Sequence, residues 1–137
     1  MKNEVNKKII SIEYWLNSAE HDFVTMNGLY EIKRYSDSLF FGHMVLEKVL
    51  KALFVAVKNE ESPRIHSLVR IVELAGVDFL KNDLLLLRVI DRFNIRARYP
   101  DVKLNFYKMC DEPYTLGQLK IIKRLYKKIC QEVKRLK

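Results

Sequence analysis

Three titratable side chains, His43, Glu47 and Lys51, stand four residues apart in a stretch, Leu39 to Val57, that is otherwise almost wholly apolar. On a helix that spacing places them on one stripe, with Lys48 beside it. Histidine can shuttle protons near neutral pH, and charges inside a protein need partners. The stripe therefore reads either as the wall of an anion site or as a structural ion pair. A second set lies downstream, where Arg88, Arg92 and Arg96 repeat every four residues, Asp91, Asn94 and Arg98 share an adjacent stripe, and Tyr99 and Asp101 follow. Aligned guanidiniums repel one another unless solvent, acids or an anion face them. Arginine forks two N–H donors onto a phosphate, which suits this stripe to phosphate recognition. The structural alternative is an exposed face near a subunit contact. If the two segments are neighbours, Glu47 can pair with Arg98 or another arginine and hold it in a fixed pose. The candidate phosphate-binding residues are thus Arg92, Arg96, Arg98, Asn94, Tyr99, Asp101, Glu47 and Lys51, and the candidates for catalysis are His43 and Arg98.

Other chemistries find little support. His43 with Glu47 is one i, i+4 pair, without an H-E-x-x-H motif or a cysteine cluster, so no metal is expected. Gly28, Gly42, Gly76 and Gly117 stand alone and build no glycine-rich phosphate cradle. Cys110 and Cys130 carry no recognisable nucleophile signature and form no C-x-x-C pair. No cofactor is expected.

The elements that must position these residues are helices. Only four glycines and three prolines leave few places for hairpins. Ile12, Trp15, Leu16, Ala19, Phe23 and Met26 recur at helical spacing and predict a helix from about Asn6 to Asn27, stopped by Asn27-Gly28. Ser36 or Asp37 can cap a second helix, apolar on nearly every side from Leu39 to Val57 and therefore central. Lys58 to Arg64 has the composition of an exposed loop. A short helix runs from about Ser67 to Ala75 and ends at Gly76. A fourth covers roughly Asn82 to Ala97, with Leu86, Val89 or Ile90, Phe93 and Ala97 inward, and Pro100 ends it because Tyr99 is pushed out of the α region. Asp101 to Tyr114 reads as an irregular loop over the end of the bundle. Thr115 and Gln118 form a capping box for the last helix, whose seam is Leu116, Leu119, Ile122, Tyr126, Ile129, Val133 and Leu136. The fold class is all-α, an up-and-down antiparallel helical bundle. With 137 residues, the expectation is one domain over the whole chain.

The net charge of +8 is unevenly placed. Lys120, Lys123, Arg124, Lys127, Lys128, Lys134, Arg135 and Lys137 face one acid, Glu132, in the last helix. That face is either a phosphate track or a solvated surface that keeps the protein dispersed. No stretch approaches the ~20 apolar residues of a bilayer span, no cleavable leader is visible, and two cysteines are too few for a disulfide framework. A cytoplasmic location and no membrane contact are the expectation.

The order Tyr35, Phe41 with His43, Glu47-Lys48, Lys51-Ala52-Leu53, His66-Ser67-Leu68, Asn94 with Ala97-Arg98-Tyr99-Pro100-Asp101, and Glu112-Pro113-Tyr114-Thr115 resembles the HEPN domain (higher eukaryotes and prokaryotes nucleotide-binding). Trp15, Ala19 and Asp22 fit its opening helix. The resemblance implies a bundle similar to the C-terminal helical domain of kanamycin nucleotidyltransferase. It also implies a homodimer, often paired with a minimal nucleotidyltransferase in a toxin-antitoxin-like system. Many HEPN proteins cleave RNA without a metal, through an R-x(4-6)-H motif at the dimer interface. Here no histidine falls at that distance from Arg88, Arg92, Arg96 or Arg98, and none follows His66. The resemblance therefore implies a module that binds a nucleotide or RNA phosphate. The alternatives are a metal-independent ribonuclease toxin using Arg98 with His43, and a purely structural interaction module.

Overall fold

A helix without a polar side has to be covered on all sides, and this requirement organises the chain. The computed structural model describes residues 2–96 and 98–137. Six helices run in the order α1 (Lys2–Glu31), α2 (Tyr35–Lys58), α3 (Leu68–Ala75), α4 (Lys81–Asp91), α5 (Pro100–Met109) and α6 (Glu112–Leu136), with no strand among the described residues. Helix α2 is central: Leu39, Val45, Leu46, Val49, Leu50, Ala52 and Leu53 are all fully or almost fully buried. It packs against α1, α3, α4, α5 and α6.

Side-chain pairs set the directions. Lys48 of α2 donates to Asp22 of α1 at 2.5 Å, and Lys51 of α2 lies over the Trp15 ring of α1, so these two helices are antiparallel. Phe23 stacks on Tyr126, while Tyr30 and Tyr35 both point their hydroxyls at Glu112, and Lys137 pairs with Glu13. Helix α6 therefore runs back along α1. Helix α4 is antiparallel to α6, because Asp83 meets Arg124 and Lys128 while Phe93 meets Tyr114. The result is an up-and-down bundle. At Gly42 the α2 backbone comes so close to α6 that an added Cβ would lie 2.6 Å from Ile122 Cδ1.

Several boundaries differ from those the sequence predicts. The first helix passes through Asn27-Gly28 and ends only at Glu31, before Lys33 takes a left-handed φ of 63°. The second begins on Arg34, which makes no side-chain cap. The short helix behaves as predicted, with the Ser67 hydroxyl accepting from the Arg70 N–H and Gly76 closing it at φ 69°. The fourth helix stops at Asp91, six residues early, and tightens into three-residue turns, with N–H groups of Arg92, Phe93 and Asn94 bonding to Val89, Ile90 and Asp91. Leu87 and Ile90 are its buried face; Ala97, assigned to it by spacing, lies outside the described residues.

The expected irregular loop from Asp101 to Tyr114 is instead mostly helix. Tyr99 is extended, as a residue before proline should be, but Pro100 then opens α5 from the first turn. The Thr115–Gln118 capping box does not form, since Thr115 Oγ1 and Gln118 Oε1 are buried without a hydrogen-bond partner. Asp111 caps α6 one turn earlier, accepting from the Tyr114 N–H at 2.9 Å, with Pro113 in the first turn.

Asp83 joins α4 to α6. It is buried and accepts from Arg124 Nη2 at 3.0 Å and Lys128 Nζ at 2.6 Å. Burial pushes its carboxyl up, but the hydrogen bonds from Lys128 and Arg124 outweigh that and hold it below the ordinary 3.8. A carboxylate depressed in the folded state stabilises the fold above its unfolded pKa, and that contribution fades as pH falls through the folded one. Asp83→Asn is expected to lose about 2 kcal/mol at neutral pH. In denaturation series across pH, the gap to wild type should close below pH 3.8.

Candidate functional site

Glu47 sits at the centre of the polar cluster. It projects from the middle of α2, is 6% exposed, and is met from three sides. Lys51, one turn on and equally buried, donates to Oε2 at 3.1 Å. His66 Nδ1, from the segment before α3, lies 3.2 Å from the same oxygen. Arg96 Nη2 lies 3.6 Å from Oε1. Arg96 is further tied by its Nε, which donates to Asn94 Oδ1 at 2.9 Å, and by the Phe40 ring beneath its guanidinium at 5.3 Å. A desolvated carboxylate with two cations and an imidazole around it is a matched ion-pair network.

Asp91 forms the second node, at the last turn of α4. Its Oδ1 accepts from the Leu68 N–H at 2.7 Å and faces His43 Nε2 at 3.3 Å. Its Oδ2 accepts from the Ser67 hydroxyl at 3.2 Å and the Val69 N–H at 3.4 Å. The carboxylate thus satisfies free N–H groups at the start of α3 and complements that helix's dipole. His43 is completely buried between the two acids, with Nδ1 3.8 Å from Glu47 Oε1 and no hydrogen-bond partner.

A shallow cleft of about 390 Å³ opens beside this network, lined by His66, Ser67, Asp91, Asn94 and Arg98. The acids beside it, Glu47 and Asp91, are already engaged. Facing only a carboxylate, His66 Nδ1 bonds it as a donor, which leaves the acceptor Nε2 for the cleft; the side chain is 51% exposed. Arg98 is exposed and has no ion pair among the described residues.

The sequence candidates therefore divide. Glu47, Lys51, Asn94 and Arg96 gather in one network, and Arg98 lines the adjoining cleft. Arg88, Arg92 and Arg96 do not form a stripe, because α4 ends before Arg96. Arg92 is exposed and its charge acts on Tyr114 instead. Tyr99, 79% exposed, and Asp101, in the first turn of α5, stand outside the cleft lining. His43 is sealed away from solvent and cannot touch a ligand in this arrangement. His66 and Asp91 belong to the site but are not among the sequence candidates for it.

The remaining chemistry is limited. Burial pushes the Cys110 thiol up to about 12 and raises that of Cys130, so neither is a ready nucleophile. Among the described residues, no group of three or more His, Cys, Asp and Glu side chains is placed to hold a metal ion. No described helix is long and apolar enough to cross a membrane.

Comparison with known proteins agrees with this architecture. Among solved structures the chain is similar to TT1696 from Thermus thermophilus, with a TM-score of 0.75 and 19% identity, over 88% of this chain and 97% of that one. At that identity the likeness speaks for the fold. No curated protein sequence matches. The HEPN domain profile matches residues 12–136. A match over nearly the whole length, on an all-helical bundle of this topology, means that the chain belongs to the HEPN domain family.

Proposed function

We propose that this HEPN protein is a binding module that holds a phosphate group of a nucleotide or RNA in the cleft between the start of α3 and the end of α4. The observation that carries the reading is Arg98, an exposed guanidinium without an ion pair among the described residues, lining a cleft whose neighbouring carboxylates, Glu47 and Asp91, already accept hydrogen bonds. A free guanidinium forks onto phosphate oxygens, and the half-exposed His66 ring lines the same cleft. Tyr99, one residue away and exposed, is available to stack on a base. Asn94 keeps Arg96 turned inward. On this reading the chain is one cytoplasmic domain that pairs with a second copy and works with a minimal nucleotidyltransferase in a toxin-antitoxin-like pair. Support for those partners comes from family membership.

Titrating ATP and a short single-stranded RNA against wild type and Arg98→Ala tests the cleft. Loss of one charge-assisted phosphate contact is expected to weaken binding about tenfold to a hundredfold. Equal affinity in both proteins, or none in either, would leave the cleft without a ligand.

One observation favours a ribonuclease as the second reading. His66 is oriented by Glu47 with Nε2 free and shares the cleft with Arg98, the arrangement that a general base needs. RNA cleavage that survives EDTA and disappears in His66→Ala would make this chain an enzyme. Loss in His43→Ala alone would be a packing effect, because that ring is buried.

A further inference from the structure

The eight basic residues from Lys120 to Lys137 separate into two populations. Arg124 and Lys128 bind Asp83 of α4, Arg135 binds Glu132, and Lys137 binds Glu13 of α1. Lys120, Lys123, Lys127 and Lys134 form no ion pair among the described residues, and all four are exposed. Their steps of three, four and seven residues are whole helical turns, so the four ammoniums line one ridge about 21 Å long. Glu20 of α1 is the acid at its edge, near Tyr126 and Cys130. Stability does not explain the ridge. Like charges at these spacings repel, and Lys120 and Lys123 lie in the half of α6 away from the C-terminal end where the helix dipole favours cations.

We infer that this ridge is a backbone track for structured RNA, an interaction surface separate from the cleft. It rests on the proposed reading of the protein as a phosphate binder and extends it from one phosphate to a polyanion. Lysines act as point charges and suit sequence-independent contact with successive phosphates. The aromatic ring beside the ridge, Tyr126, is stacked on Phe23, so it offers no platform for unstacked bases and the ridge matches the outside of a helical stem. The apolar side of α6 is buried in the bundle core, which leaves no face to insert into a lipid interface.

The test is binding of a 20-base-pair RNA stem by the full chain at several salt concentrations. Four neutralised phosphates make wild-type affinity fall about a hundredfold between roughly 50 and 200 mM salt. The variant K120Q/K123Q/K127Q/K134Q is expected to lose that affinity and most of the salt dependence, while its ATP binding in the cleft matches wild type. The control K7Q/K8Q/K81Q/K108Q removes the same charge elsewhere and should retain most of the stem affinity. The proposal is overturned if wild type does not bind the stem, if both quadruple variants lose affinity equally, or if anionic vesicles of phosphatidylserine and phosphatidylcholine compete better than RNA. Arg98→Ala separates the two sites: loss of ATP binding with stem binding kept leaves the ridge standing, ATP and stem binding both kept removes the cleft reading alone, and loss of stem binding overturns the ridge as a separate surface.

Discussion

Glu47→Ala will lower the unfolding free energy by about 3–5 kcal/mol, because it strands the Lys51 ammonium inside the bundle without its acid. A domain of this kind has only about 5–15 kcal/mol in total, so much of the variant will be unfolded at modest temperature. Urea denaturation followed by circular dichroism measures the loss. The double variant Glu47→Leu, Lys51→Met separates two causes. If the cost is the uncompensated ammonium, replacing the pair by apolar side chains of similar size recovers most of the stability. If the double variant stays as unstable as the single one, the stability came from the contacts with His66 and Arg96.

Asp91→Ala will cost about 3 kcal/mol, since one carboxylate serves two backbone N–H groups at the start of α3, the Ser67 hydroxyl and the His43 ring. The loss should be local in origin. Amide signals of Leu68 to Ala75 are expected to weaken first in a nitrogen–proton correlation spectrum. Asp91→Asn retains one acceptor oxygen and should lose less than half as much. Equal losses in the two variants would show that the charge, rather than the hydrogen bonds, holds α3 in place.

Much of the bundle is visible in the sequence because apolar periodicity is a local property. The central position of α2 follows from its lack of a polar face, and the ends of α3 follow from Ser67 and Gly76, whose chemistry acts over one turn. The failures share a different cause. Nothing local stops the fourth helix at Asp91; its carboxylate is drawn to the start of α3, a contact 23 residues distant in sequence. Pro100 and Pro113 are equally compatible with ending a helix and with opening one, and here both sit in first turns. Thr115 and Gln118 have a capping pattern, yet Asp111 precedes them and takes the role.

The same distinction governs the site. Glu47 and Lys51 are a stripe on one helix and can be paired on paper. Which arginine reaches Glu47 depends on where α4 breaks, so Arg96 joins it and Arg98 is left at the surface. His66 approaches Glu47 from 19 residues away. Only the packing of α3 against α2 brings that imidazole to the cleft.

Helix α5 has one buried residue, Phe106, which tilts against Phe93 beside α2, while Val102, Leu104, Tyr107 and Met109 are turned outward. So thin an attachment sets a low threshold for sub-global opening, and its amides should exchange with deuterium well before those of α2. Arg98 and Tyr99 lie directly upstream of its first turn, so each such excursion moves the proposed phosphate ligand and its stacking neighbour together. An anion that bridges Arg98 to the wall at Ser67 would then be read out as slowed exchange across Pro100–Met109, a remote signature of occupancy.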